Sequence, residues 1–172
     1  RILISKRNMI IPHIEENLDR GRYQDTVPPL CPCCKSATWI KRRKTSDGRI
    51  VETVHCSNSV CGSQILRKFE HFVSKKAMDI EGLSSATLER FLELGYLDSF
   101  QDLYHLDQYQ EDITSLDGFG EKSYERLWSA ITKSRETDFV HFLVAMDIPM
   151  VGRTKSRILN NVFSGSLDDF EA

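Results

Sequence analysis

The sequence predicts an α+β protein, mainly α, and three observations carry the prediction. All five cysteines fall within residues 31–61. Two β-favouring runs, TWIKRRK and RIVETVH, lie between the cysteine pairs, around a Ser46-Asp47-Gly48 turn. After Cys61 the apolar period becomes helical, and short turns punctuate the helices to the end of the chain.

With 172 residues, 40% hydrophobic and 28% charged, the chain has the composition of one or two ordinary globular domains. No run approaches the roughly 18 apolar residues of a membrane span, and residues 1–20 lack a signal-peptide core. These features point to a cytoplasmic protein whose thiols stay reduced. The net charge of −2 hides a segregation. Residues 35–76 carry ten Lys/Arg against three Asp/Glu, residues 77–121 eleven acidic residues against Arg90 alone, and residues 122–158 seven basic against four acidic. Such blocks suggest surfaces of opposite sign, with plain solubility as the alternative. The chain opens at Arg1 directly onto an apolar stretch, and Ser166 with Asp169 three residues on reads as an N-cap near its end. Both ends are what an excised piece of a longer protein is expected to have.

Cys31 and Cys34 form a CxxC pair, and Cys56 and Cys61 a second pair with four residues between. Two ligand-bearing turns brought together by a hairpin outline a zinc ribbon. Zn²⁺ takes four tetrahedral ligands, and four thiolates give a closed structural site with no position open for catalysis. A unit this short, with so few apolar side chains, is expected to draw its folding energy from the metal. Disulfides would need an oxidising compartment, and a redox CxxC would sit at a helix N-terminus beside a βαβ pattern; the sequence gives no sign of either. Knuckle spacing favours Cys31, Cys34, Cys56 and Cys61, with Cys33 a spare thiol and His55 an ordinary strand residue. Both abut ligands, which leaves the choice of four open.

Four apolar stripes at helical spacing read as core: Ile65, Leu66, Phe69, Phe72 and Val73; Leu127, Trp128 and Ile131; Phe139, Phe142, Leu143 and Met146; Ile158, Leu159, Val162 and Phe163. His13, His71, His105 and His141 read as surface or core residues. Between helices sit three related turns, Ile80-Glu81-Gly82-Leu83-Ser84, Leu116-Asp117-Gly118-Phe119-Gly120 and Ile148-Pro149-Met150-Val151-Gly152. Each reads as apolar–x–small–apolar–small followed by a helix, a pattern that resembles the helix-hairpin-helix motif. Glycine lets backbone N–H groups come close to an anion, and the next helix adds unpaired donors and the positive end of its dipole. The natural ligand is a backbone phosphate, which carries no sequence information. Lys122 and Ser123 stand in the first helical turn after Gly120, and Arg153, Thr154 and Lys155 after Gly152, where they reinforce such a contact. The bland alternative is a tight helical hairpin. It fits the Gly82 turn best, because Ser84 replaces the second glycine and no basic residue follows.

The order SKRNMIIPHIE, CPxC…C-x₄-C, KKAMDIEGL, DLYHL, GFGEKS and DIPMVG resembles the NAD-dependent DNA ligases over essentially the whole chain. In that family a nucleotidyltransferase domain precedes an OB-fold, a tetracysteine zinc finger, a helix-hairpin-helix domain and a BRCT domain. The resemblance implies that 1–29 are the end of the OB-fold and a linker, 1–20 matching its last strand with Ile10-Ile11-Pro12 in place of the family's IIP. Residues 30–63 are then the zinc finger and 64–172 the helix-hairpin-helix domain, truncated before its fourth hairpin. Cys33 and Ser84 depart from the family's usual residues. The same resemblance implies a part that grips nicked double-stranded DNA without sequence preference, as a monomer, within an enzyme that seals nicks in replication and repair. NAD⁺ and Mg²⁺ are implied for the parent only. The family's adenylated lysine lies in a KxDG motif; this chain has none, its Lys-Thr-Ser-Asp-Gly at 44–48 being one residue too long. Catalytic residues are therefore not expected in this stretch.

Two rivals stand beside this reading. In a helix-hairpin-helix DNA glycosylase a catalytic Asp follows the turn, as Asp168 and Asp169 follow Gly152, but SLDDFEA reads as a helix start. A non-catalytic zinc-ribbon module that only docks DNA is the other.

Overall fold

The computed structural model describes residues 1–7, 11–19, 27–45, 47–163 and 165. The chain is mixed α/β and divides into two compact units, Arg1–Asn58 and Ser59–Ala172. No helix among the described residues is long and apolar enough to cross a membrane.

In the first unit, β1 (Ile2–Arg7) pairs antiparallel with β2 (Ile11–Asn17), Ile4 opposite Ile14, with one irregularity between Leu3 and Ile4. The resemblance implies a single strand over 1–20. The structure has two, because a β-favouring run stands on each side of residues 8–10. Ile2, Leu3, Ile4, Ile11 and Ile14 are each 50–60% exposed, so this hairpin buries no core of its own. A second hairpin joins β3 (Thr38–Lys44) to β4 (Ile50–Cys56), in register from Thr38 opposite Cys56 to Lys44 opposite Ile50. At its tip the Thr45 N–H donates to the Arg49 carbonyl at 2.8 Å, and Gly48 turns the chain at φ +85°, a conformation that resists a side chain. Ser46, the first residue of the expected turn, lies outside the described residues, as does Ile10. The strand period of two sets Trp39, Lys41 and Arg43 with His55, Thr53 and Val51 on one face. The other face takes Ile40, Arg42 and Lys44 with Val54, Glu52 and Ile50.

The second unit is helical: α1 (Gly62–Val73), α2 (Ser85–Glu93), a 3-10 helix (Phe100–Tyr109), α3 (Gln110–Ser115), α4 (Glu121–Ser134), α5 (Phe139–Ala145) and α6 (Arg153–Val162). Its core joins Phe69 and Phe72 of α1, Leu88 and Phe91 of α2, Leu103 and Leu106 of the 3-10 helix, Ile113 of α3, and Leu127 and Ile131 of α4. Phe100 stacks on Phe72 with centroids 4.2 Å apart and meets Phe69 edge-on. The stripes of α1, α4 and α5 turn inward as read, with Phe69, Phe72, Val73, Leu127, Ile131, Phe139 and Leu143 all buried.

The stripe of α6 is a correction. Ile158 and Val162 are 57% and 67% exposed rather than core. The inward face of α6 instead carries fully buried Ser156, whose hydroxyl donates to the Gly152 carbonyl at 3.2 Å. At about 100° per residue, Leu159 and Phe163 share that face, and Ile158 and Val162 turn away from it.

Candidate metal centre and helix-opening turns

Two local structures bring four sulfurs together. In the first, the Cys31 N–H donates to the Ser36 carbonyl at 2.8 Å and the Lys35 N–H returns to the Cys31 carbonyl at 2.9 Å. Lys35 takes φ +60° to close this knuckle. In the second, Cys56 ends β4 and Cys61 is the N-cap of α1, its carbonyl accepting from the Ile65 N–H at 3.0 Å. The Sγ atoms of Cys31, Cys34, Cys56 and Cys61 all lie within 4.8 Å of one another, with Cys31 and Cys61 buried.

The Cys34 and Cys56 sulfurs stand 3.4 Å apart, well beyond a disulfide bond, and none of the five cysteines is in one. The Ser36 hydroxyl, and then its backbone N–H, draws the Cys34 thiol down to about 6. For Cys56 the Asn58 N–H acts to lower the pKa, but burial and the neighbouring Cys34 and Cys31 sulfurs outweigh it and push the thiol up. Four thiolates this close repel one another unless a cation sits among them, so the donor set fits a bound metal ion. Cys33 is exposed and outside the group. His55 stacks on Trp39 instead, its Nε2 lying 2.9 Å from the Thr53 hydroxyl.

The three turns share two backbone features. Their third residues, Gly82, Gly118 and Met150, all take left-handed φ, at +95°, +79° and +70°. Their fifth residues, Ser84, Gly120 and Gly152, are the extended N-caps of α2, α4 and α6. In the second and third turns the Phe119 and Val151 N–H groups close equivalent bonds of 2.9 Å onto the Leu116 and Ile148 carbonyls. Met150 is not the small residue that the sequence pattern assumed. It is 81% exposed, so packing does not account for it; the backbone repeats while the side chain differs.

The first turn faces the fold. A Cβ on Gly82 would meet the backbone and side chain of Leu127 at 3.6–3.7 Å, and the Ser84 hydroxyl caps α2 by accepting from the Thr87 N–H at 3.1 Å. The other two face outward. No side chain caps α4 or α6, and a Cβ on Gly118, Gly120 or Gly152 would meet nothing within 4 Å. Lys122, Ser123, Arg153, Thr154 and Lys155 are all exposed. Among the described residues, Lys122, Arg153 and Lys155 form no ion pair. Ser166, Asp168 and Asp169 lie outside the described residues.

A mixed α/β chain with a tetracysteine, metal-capable centre and a helical unit built on a recurring turn-to-helix device is the class that fold and site define. Its relatives are proteins named DNA ligase. The chain is 39% identical to that of Ruminiclostridium cellulolyticum over 160 residues, covering 93% of this chain and 23% of the relative. It is 36% identical to that of Lachnoclostridium phytofermentans over 163 residues, 95% of this chain and 24% of the relative. With the Spiroplasma citri protein it shares 37% over 175 residues, 99% of this chain and 25% of the relative. No protein-family model matches. The chain is a homologue of one segment of the DNA ligases and spans about a quarter of their length.

Proposed function

We propose that this chain is the DNA-gripping part of an NAD-dependent DNA ligase that seals nicks, with the turns at Gly120 and Gly152 holding backbone phosphates of the duplex. One observation carries the reading. Gly120 and Gly152 have φ of −127° and −90°, which any residue adopts, and nothing lies near where a side chain would go. Neither conformation nor space inside the fold requires glycine there. A phosphate that must approach the uncapped N–H groups of α4 and α6 does require it, and Lys122, Arg153 and Lys155 stand beside those groups to neutralise the charge. The first turn is the structural member of the set.

On this proposal Cys31, Cys34, Cys56 and Cys61 hold Zn²⁺, whose contribution when bound is a closed tetrahedral crosslink with no open position. The β1–β2 hairpin belongs to the OB-fold, whose remaining strands cover Ile4 and Ile14; an isolated two-stranded hairpin is marginal in water. NAD⁺, Mg²⁺ and the adenylated lysine act from other parts of the parent enzyme. The test is a salt series of binding to nicked, intact and single-stranded DNA, with zinc and after chelation. Duplex binding without sequence preference is expected, log K falling by about 0.9 per phosphate neutralised for each tenfold rise in salt. No duplex binding at low salt would remove the turns from the DNA.

A further inference from the structure

The β3–β4 hairpin carries a face for which the helix-opening turns have no use. Trp39 and His55, directly opposite in register, stack with ring centroids 5.1 Å apart and planes 27° apart. Trp39 is 50% exposed, so much of its indole meets solvent. Along the same face stand Lys41 opposite Thr53 and Arg43 opposite Val51. Strand geometry spaces Lys41 and Arg43 by about 6.8 Å. The hairpin's two carboxylates are engaged elsewhere. Glu52, on the opposite face, holds Arg42 at 2.6 Å, and Asp47 at the tip holds Arg49 at 2.8 Å. Lys41 and Arg43 form no ion pair among the described residues.

An exposed aromatic pair leading into a row of unneutralised cations fits one ligand chemistry closely. Unpaired bases stack on the rings while their phosphates meet the cations. A duplex backbone would engage Lys41 and Arg43 but keeps its bases inside the helix, leaving the indole idle. An acidic peptide would likewise use only the charges. We infer that the Trp39–His55–Lys41–Arg43 face docks unpaired nucleotides of single-stranded DNA. This face lies in the first unit and acts independently of the turns at Gly120 and Gly152, so failure of either leaves the other standing.

The test uses the zinc-loaded chain carrying Trp128→Phe, which leaves Trp39 as the sole indole. Oligo(dT) and a blunt duplex of equal length are titrated against its fluorescence. Oligo(dT) is expected to quench the indole. Trp39→Ala, read by anisotropy of labelled DNA, is expected to weaken oligo(dT) about 5- to 150-fold while duplex affinity stays within about twofold. Trp39→Phe keeps a stacking surface and recovers most of the loss. Lys41→Ala with Arg43→Ala lowers the salt slope on oligo(dT) by about 0.7 per phosphate contact removed. Absence of quenching in the chain that retains Trp39 would overturn the inference, whatever the variants do. So would an equal loss on duplex and oligo(dT), which would mark the face as a duplex contact, or quenching by an acidic peptide as strong as by DNA.

Discussion

Replacing Gly120 and Gly152 together by alanine separates a glycine needed by the fold from one needed by a ligand. Their φ values of −127° and −90° cost alanine nothing, and the added Cβ meets no atom within 4 Å. Alanine is a poorer N-cap than glycine by roughly 0.5 kcal/mol. Against that, alanine restricts the unfolded chain and recovers about 0.4–1 kcal/mol per site. The two effects nearly cancel, and the melting temperature is expected to move by no more than about 2 °C in either direction.

DNA binding obeys different arithmetic. A Cβ over an uncapped helix N-terminus keeps a phosphate from the backbone N–H groups, and a hydrogen bond to a charged group contributes about 1.5–3 kcal/mol. Losing one such contact weakens duplex affinity roughly 10- to 150-fold, and losing both weakens it further. Thermal unfolding of the free chain and anisotropy titration with a nicked duplex, run on one preparation, give the two numbers. A drop of many degrees with unchanged DNA affinity would refute the argument: the glycines would then serve the fold. Ser84→Gly is the internal control. It removes the Ser84–Thr87 cap and lowers stability by a few tenths of a kcal/mol, without changing affinity.

Single sites give three further expected outcomes. Tyr124 is 4% exposed and its hydroxyl has no partner among the described residues; burial first, and then Asp107, push the phenol pKa up. Tyr124→Phe is expected to stabilise the chain by about 1 kcal/mol, raising the melting temperature by roughly 2–4 °C, and a lower value would reveal a partner for the hydroxyl. Asp102 accepts the Ser99 and Asp98 N–H groups at 2.7 and 2.9 Å, which hold its carboxyl below the usual carboxylate range. A depressed pKa contributes stability above the unfolded value of about 3.9 and loses it as pH falls through the folded value; Asp102→Asn abolishes that acid-side loss and costs about 1 kcal/mol at pH 7, both readable by urea unfolding at several pH values. One zinc per chain is expected by metal analysis, retained in Cys33→Ser, lost in Cys56→Ser, and its chelation should remove the β3–β4 signal from the circular dichroism spectrum.

The cysteine group was legible because ligand spacing is local: two short turns and a hairpin leave little freedom in where the four sulfurs go. The helices around Phe69, Leu127 and Leu143 were legible for a similar reason, as amphipathic period translates directly into burial. α6 misled because its sequence carries two candidate faces, and period alone does not rank an apolar pair, Ile158 and Val162, against a face built on Ser156. The 3-10 helix over Phe100–Tyr109 had no periodic signal to read: runs of that geometry beyond three or four residues are uncommon. Its start was nonetheless written as Ser99-x-x-Asp102, a capping box that appears in the sequence whichever helix type comes after it.

The turns show where sequence pattern and backbone part company. Gly82, Gly118 and Met150 occupy one left-handed position, yet only two of them carry the residue which that conformation favours. Pattern matching by residue size therefore undervalues the third turn, whereas its φ and its Val151-to-Ile148 bond pair it with the second. Two positions further on the logic reverses. Extended backbone there accepts any residue, so the choice of serine or glycine reports on the surroundings instead of the chain conformation. Serine in the first turn satisfies the helix end from within, beside a turn pressed against Leu127. Glycine in the second and third leaves that end open to solvent. A helix N-terminus that is open to solvent and flanked by cations can exchange water for an anion, whereas the first turn's helix end is already occupied by its own serine, and that difference is the physical basis for proposing DNA contacts at two turns rather than three.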